Sequence, residues 1–292
     1  MRVTSTDALL LVDKPAGMSS HDVVAIARRA LGTRKVGHGG TLDPFATGLL
    51  VLMAGRGTRL LQFVPSEPKV YDATIRFGRE TDTDDSTGNV VVDDAPRPAP
   101  LPEASRVREV LPTLTGALLQ VPPDYSAKHV DGVRAYAMAR RGQRPELPPV
   151  TVHVDAWEVL EQGRDMLRAR ITCGTGTYIR ALARDLGRAV GSAAHLEALR
   201  RLRVGPFSVA EANSVEELTA GQPRRLPLAA ALGAMPLEAL DEPDVRRVRQ
   251  GMSVAASVAG ARAALTDRAG ELVAVAARRG DAWHPDVVLA SA

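Results

Sequence analysis

Gly37-His38-Gly39-Gly40-Thr41-Leu42-Asp43-Pro44-Phe45-Ala46-Thr47-Gly48 is the stretch on which the reading of this chain turns. It sets one histidine and one carboxylate among four glycines, Gly37, Gly39, Gly40 and Gly48. Glycine opens backbone geometries closed to other residues and lets another group approach the main chain closely. Pro44 fixes its own φ and pushes Asp43 toward an extended conformation, so the carboxylate is held on a stiff turn. A histidine and a carboxylate held in this way read as a site. The competing reading is an ordinary glycine-rich loop with Asp43 as turn former. Walker and Rossmann glycine spacings are absent, so a phosphate cradle is not indicated.

Working outward, residues 8 to 13, Ala-Leu-Leu-Leu-Val-Asp, read as a short buried strand that Lys14-Pro15-Ala16-Gly17 turns out of the core. Ser19 and Asp22 then form the pattern of a capping box, opening a helix from about His21 to Leu31 with Val23, Val24, Ala27 and Leu31 on its apolar face. Downstream, Leu49 to Met53 reads as core and Thr58 to Phe63 as a short helix. Lys69 to Gly78 alternates with Tyr71, Ala73, Ile75 and Phe77 on one face, which predicts a half-buried strand and gives Tyr71 a default place in the core.

Asp82, Asp84 and Asp85 crowd a Thr/Ser/Gly turn, but no glutamate follows at the spacing of a calcium loop, so we expect an ordered loop over a sheet. A Pro-rich connection, Asp93 to Pro102, precedes a helix of roughly Glu103 to Leu111. From Gln120 to Pro149 the chain has little core character, with one expected helix from about Val133 to Arg141. Segments of this kind are functional loops or linkers. Strands are expected at Val150 to Val159 and Met166 to Cys173. Gly174-Thr-Gly-Thr-Tyr178-Ile-Arg180 then leads into a helix to about Val190, striped by Ile179, Leu182, Ala183 and Leu186. Arg180, Arg184 and Arg188 share another face, a spacing that normally means solvent. Arg180, in the first turn, opposes the helix dipole and calls for a carboxylate partner. After a linker-like stretch to Leu240-Asp241, short strands at Ser253 to Val258, Ala261 to Leu265, Glu271 to Ala276 and Val287 to Leu289 suggest a small barrel or sandwich.

The bulk numbers agree with a soluble globular protein, at 45% hydrophobic and 24% charged over 292 residues. Ala8 to Val12 is too short for a signal peptide or a membrane span, so a cytoplasmic location is expected. Cys173 is the only cysteine and excludes an intrachain disulfide. Residues 1 to 60 carry eight Lys and Arg against four Asp and Glu, and residues 121 to 205 carry fourteen against nine. These two basic blocks hold the candidate motifs, which favours a polyanionic partner.

Five stretches together resemble the bacterial TruB family of tRNA pseudouridine-55 synthases. They are Asp13-Lys14-Pro15 with Gly17, Ser19 and Ser20; the Gly37 to Gly48 loop with Leu49 and Leu50; Lys69, Tyr71 and Ala73; Gln120 to Lys128 with Gly132, Arg134, Ala135, Tyr136, Ala139, Arg140 and Gly142; and Gly176 to Arg180 followed by Ala194 to Arg201. The resemblance implies an α+β pseudouridine-synthase fold with a mixed, largely antiparallel central sheet. It implies a catalytic domain over residues 1–235 with a thumb-like insertion at about 122–149, and a PUA-like RNA-binding domain over 236–292. It assigns the chemistry to Asp43, pairs Arg180 with it, stacks Tyr71 on the flipped uracil, lines the pocket with Leu199, fills the vacated space with His38, and puts Tyr178 and Lys14 at the substrate. For Lys14 a phosphate contact and an exposed turn lysine stand level, and for Leu199 ordinary core is the rival. No cofactor, no metal and no protein partner are implied, so a monomer acting on the T-arm stem-loop of tRNA is expected. A non-catalytic RNA-binding protein and a metal-dependent hydrolase using the aspartate cluster with His38 are the alternatives. The first would dispense with Asp43, and the second needs ligand spacings that the sequence lacks.

Overall fold

The computed structural model describes residues 6–91, 99–125, 129–130, 133–134, 138 and 147–289. The chain divides into two compact units: residues 1–43, 49–65 and 205–292 in one, and 44–48 with 66–204 in the other. The C-terminal part, residues 205–292, is grouped with the N-terminal strands in the first unit.

In the first unit, β1 (Ala8–Lys14) is buried along almost its whole length. The capping box forms as expected: Ser19 Oγ accepts from the Asp22 N–H, and the Asp22 carboxylate accepts from the Ser19 N–H, opening α1 (Ser20–Leu31). Gly32 closes it in the left-handed conformation at φ 63°. β2 (Val36–His38) runs antiparallel to β3 (Thr47–Ala54), with His38 opposite Leu52. Val23, Val24, Ala27 and Leu31 of α1 join Leu10, Val12, Leu50 and Leu52 in one core. Each such leucine or valine contributes about 1.5–3 kcal/mol by leaving water. A 3-10 helix, Gly55–Phe63, follows.

The second unit is a meander of antiparallel pairs. β4 (Lys69–Phe77) carries the expected alternation, with Tyr71, Ala73, Ile75 and Phe77 buried. After α2 (Ala104–Val110) come β5 (Gly116–Gln120), the two-residue pair β6 (His129–Val130) and β7 (Val133–Arg134), then β8 (Val150–Gln162) and β9 (Met166–Cys173). The helix expected from Val133 is corrected at its start, since Val133 and Arg134 extend opposite Val130 and His129. Ser126, Ala127, Lys128, Gly132, Ala135, Tyr136, Ala139, Arg140 and Gly142 lie outside the described residues. α3 (Ile179–Ala189) leads to β10 (Ala194–Val204). Within this unit the strands run β10-β4-β9-β8-β5, and Thr47 and Gly48 at the start of β3 pair in parallel with Arg200 and Arg201. One parallel pair among antiparallel ones makes the sheet mixed and the fold α+β, as expected. Cys173 is buried, and that burial pushes its thiol up to about 11, the mark of a core cysteine.

The chain then returns to the first unit. β11 (Phe207–Ser208) and α4 (Val215–Thr219) precede a stretch expected to be a linker, but Leu226 bridges Leu9 of β1, and Asn213 donates from its backbone N and Nδ2 to the Leu11 carbonyl. β12 (Leu237–Ala239), α5 (Glu242–Arg249), β13 (Val254–Ala255), β14 (Arg262–Thr266), β15 (Leu272–Arg279) and β16 (Ala282–Val288) form a five-stranded sheet in the order β12-β14-β15-β16-β13 around Trp283. Arg56 and Arg59 of the 3-10 helix donate to the Leu289 and Val288 carbonyls, and Arg262 stacks over Phe63.

Glu238 anchors that sheet. Burial opposes its charge, but Ser257 Oγ, Trp283 Nε1 and the N–H groups of Val258 and Ser257 all donate to the carboxylate and hold it down at about 2, against an ordinary 4.5. A depressed carboxylate contributes stability that is complete above its unfolded value and is lost as the pH falls through its folded value, here about 3 kcal/mol between pH 4.5 and 2. Glu238→Gln is therefore expected to lower unfolding stability by about 2 kcal/mol at pH 7, with the difference from wild type closing near pH 2. Denaturant titrations at the two pH values check this, and a constant difference would refute it.

Candidate active site

The Gly37 to Gly48 loop is pinned at Leu42. Ser20 Oγ, at the start of α1, donates to the Leu42 carbonyl at 3.1 Å and accepts from the Leu42 N–H at 2.9 Å. Leu42 is itself buried, so Asp43 leaves a fixed residue and enters Pro44, half exposed. Ser20 thus does what the sequence credited to Pro44 alone. On the same loop the Gly40 N–H reaches His38 Nδ1 at 3.4 Å, which leaves the proton of a neutral ring on Nε2. His21 meets that ring edge-on, with centroids 5.6 Å apart and planes at 85°. Gly39 N–H bonds the Val51 carbonyl of β3.

Gly48 serves the fold rather than a ligand. Its φ is 103°, and a Cβ there would overlap the Arg201 carbonyl oxygen, with the Arg201 N at 2.7 Å and carbonyl C at 2.9 Å. Only glycine lets β3 start flush against β10.

Tyr71 and Leu199 come together in the second unit. β4 and β10 place Tyr71 opposite Arg201 and Ala73 opposite Leu199, so all four share one face, and Ile171 of β9 flanks Tyr71 on the other side. Tyr71 is 7% exposed and Leu199 8%. Arg201, only 2% exposed, was not among the candidates. Its signal was the period-2 alternation through Leu199-Arg200-Arg201, which turns one arginine out and the other in.

Tyr178 caps α3, held by a reciprocal pair: Tyr178 N–H to Gln120 Oε1 at 2.9 Å and Gln120 Nε2 to the Tyr178 carbonyl at 3.1 Å. Arg180 and Arg184 are both buried, contrary to the expectation of solvent. Arg180 donates to the Thr83 and Tyr125 carbonyls at 2.9 Å, and its guanidinium lies 3.7 Å from the Asp85 carboxylate, so a first-turn arginine does find an acidic neighbour. Asp85 is fixed by Thr83 Oγ1 and by the N–H and Oγ1 of Thr87. Arg188 is exposed and pairs with Glu80. The aspartate cluster is thus the ordered loop expected, bonded to arginines and threonines. Among the described residues no three His, Cys, Asp or Glu side chains converge as metal ligands.

Lys14 departs from the surface role. It is wholly buried, and its ammonium donates to the Pro15 and Met18 carbonyls at 2.9 and 2.7 Å, tying the turn rather than facing a phosphate. His195 is structural, with Nδ1 3.0 Å from the Arg79 carbonyl.

Residues 28–179 match the family described as TruB family pseudouridylate synthase (N terminal domain), and residues 180–232 match the tRNA pseudouridylate synthase B C-terminal domain. The chain belongs to the TruB family. Relatives extend over nearly its whole length. The tRNA pseudouridine synthase B of Thermobifida fusca (strain YX) is 44% identical over 293 residues, covering 97% of this chain and 99% of its own. That of Gloeobacter violaceus (strain ATCC 29082 / PCC 7421) is 44% identical over 295 residues, with the same coverage. Among solved structures, an H/ACA RNP bound to a substrate RNA containing 2'-deoxyuridine superposes at a TM-score of 0.71 over 98% of this chain and 86% of that one, at 23% identity. The last likeness carries the fold, while the first two carry the TruB membership. No helix among the described residues is long and apolar enough to cross a membrane.

Proposed function

We propose that this TruB-family chain is a tRNA pseudouridine synthase acting in the cytoplasm as a monomer. Its target is uridine 55 in the T-loop, which it isomerises to pseudouridine. The observation that carries the reading is the end-to-end similarity to relatives named tRNA pseudouridine synthase B. The reaction breaks the N1–C1′ bond of uridine and makes a C5–C1′ bond to the same uracil, with the C5 proton released to water and N1 gaining one. No electrons enter or leave, so we assign no cofactor.

A base in a folded loop must leave its stack before any group can reach C1′, at a cost of a few kcal/mol. In this reading Tyr71 stacks on the extruded uracil, Leu199 and Tyr178 wall the pocket, and His38 occupies the space left in the RNA. Asp43 carries the chemistry, as nucleophile or as base toward the sugar, with Arg180 as its counter-charge. A carboxylate on a pinned turn supports that role, because a catalytic group gains from being held before the substrate arrives. The 122–149 insertion closes over the stem-loop as a thumb, and 236–292 serves as a PUA-like RNA-binding domain.

The test is position-resolved pseudouridine mapping after incubation with an unmodified tRNA transcript and with its isolated T-arm. A single signal at position 55 in both is expected, and its absence from both would overturn the proposal. Turnover on pre-folded tRNA is expected to stay within about twofold after exhaustive chelation, and a strict divalent-metal requirement at the chemical step would remove the cofactor-free mechanism.

A further inference from the structure

α3 sends two arginines, four residues apart, to the same pair of segments. Arg180 links the loop of residues 81–88, at the Thr83 carbonyl, to the Tyr125 carbonyl. One turn further on, Arg184 Nη1 bonds the Asp84 carboxylate at 2.7 Å while its Nη2 bonds the Val121 carbonyl at 2.8 Å, with Nε on Asp185 at 3.0 Å. The two arginines therefore make parallel rungs between the aspartate loop and the start of the 122–149 segment. Both side chains of the second rung are buried, Arg184 at 9% exposure and Asp84 at 11%.

The backbone is bent to serve this rung. Asp84 is the one non-glycine with positive φ among the described residues, at 59°. Aspartate tolerates that region better than most residues, yet such a conformation persists only where the surroundings hold it. Here the Leu196 N–H of β10 bonds the Asp84 carbonyl at 3.0 Å, and the Asp84 N–H bonds the Thr81 carbonyl at 3.1 Å. A buried ion pair at a strained residue is an expensive way to gain stability, since apolar residues fill such a space as well or better. A pair of this kind is more economically explained by what it locates.

We propose that Arg184, through Asp84 and the Val121 carbonyl, is a positioning residue that fixes the base of the 122–149 segment against the aspartate loop and so holds Arg180 in place. The inference rests on the reading of that segment as an RNA-closing insertion and of Arg180 as partner to the chemistry.

A protonation signature accompanies the geometry. Burial pushes the Asp84 carboxyl up to about 6, with Arg184 and Arg180 pulling it back and Glu80 adding to the rise. The charged groups that act on it are Arg180, Arg184 and Arg188 on α3 and Glu80 on its own segment, while β10 offers the Leu196 backbone. Below about pH 6 the carboxyl is neutral and the rung is no longer an ion pair.

Two variants and two readouts test the proposal. Arg184→Lys keeps a cation beside Asp84 but cannot span to Val121, and Asp84→Asn removes the charge while leaving the Val121 bond. Arg184→Lys is expected to slow single-turnover pseudouridine formation at pH 8 by about tenfold and to speed hydrogen exchange at the Val121, Asp124 and Tyr125 amides, the only ones in that proline-containing stretch, by a similar factor, with the far-ultraviolet spectrum unchanged. Wild-type rate should fall on the acid side with a midpoint near 6, and Asp84→Asn should start low and lack that limb. A folded Arg184→Lys within about twofold of wild type in both rate and exchange, or an Asp84→Asn profile that keeps the limb, would overturn the proposal. If the wild type forms no pseudouridine on any tRNA, the functional reading fails, while the exchange measurement still decides whether Arg184 fixes the segment.

Discussion

Asp43→Asn should bind tRNA almost as wild type does and form pseudouridine at least about a thousandfold more slowly, a loss of roughly 4 kcal/mol in transition-state stabilisation. The substitution preserves size and most hydrogen-bonding geometry, and Leu42 stays tied to Ser20 at both its N–H and its carbonyl, so the turn should not move. What disappears is the negative charge that, in the proposed mechanism, acts on the sugar or base and balances Arg180. In the proposed reading RNA affinity draws mainly on basic and stacking groups elsewhere, so it should change by less than about tenfold, within roughly 1.4 kcal/mol. Single-turnover tritium release from uracil-labelled tRNA, beside filter binding of the same protein, separates the two quantities. A variant that binds normally and turns over within about tenfold of wild type would take Asp43 out of the mechanism.

Gly48→Ala is expected to be the most damaging small substitution in the glycine-rich loop. The backbone there sits at φ 103°, and the added methyl would run into the Arg201 main chain, which cannot step aside without unpairing β10 from β4. Strain and overpacking together should cost roughly 3 to 5 kcal/mol. For a chain of this size that corresponds to a fall of about 10 °C in Tm. Because Arg201 stands opposite Tyr71, activity should fall before the protein unfolds. Thermal scans together with rates well below the transition check both parts. A variant melting within about 2 °C of wild type would mean that the β3–β10 start tolerates a side chain.

Gly17→Ala supplies a contrast: its φ is 83°, but nothing lies within 4 Å of an added Cβ. Strain alone acts there, and a cost of only about 1 kcal/mol is expected from the same measurement.

Local signals survived the passage from sequence to structure, and signals that depend on distant partners did not. The Ser19–Asp22 capping box and the alternation through Tyr71, Ala73, Ile75 and Phe77 are written within a few residues, and both appear where the sequence placed them. α5 carries little signal in the sequence although Asp241 caps it and proline stands in its first turn, because Val245 and Val248 alone supply its buried apolar face. β16 was read only at its end, since Pro285 and Asp286 break the alternation that Trp283 and Val287 keep. Burial of Lys14, Arg184 and Arg201 could not be read, since a charged side chain looks solvent-bound until the carbonyls and carboxylates that receive it are known. In the proposed site, the family resemblance implied Asp43, Tyr71, Arg180 and Leu199, while Ser20 and Gln120, which hold Leu42 and Tyr178, act across 22 and 58 residues of sequence.

The bond from Asn213 to Leu11 spans 202 residues, and it sets a schedule for the nascent chain. At about 5 to 20 residues per second, a ribosome takes roughly 10 to 40 s to deliver that asparagine after the leucine has been made. Throughout that interval β1 has neither Leu226 nor Asn213 beside it, and α1 lacks Val215 and Leu218. The intervening unit, almost continuous in sequence, can close first. β1 is thus completed only after the intervening unit has been made, and its run of leucines waits through that interval without the partners that close it.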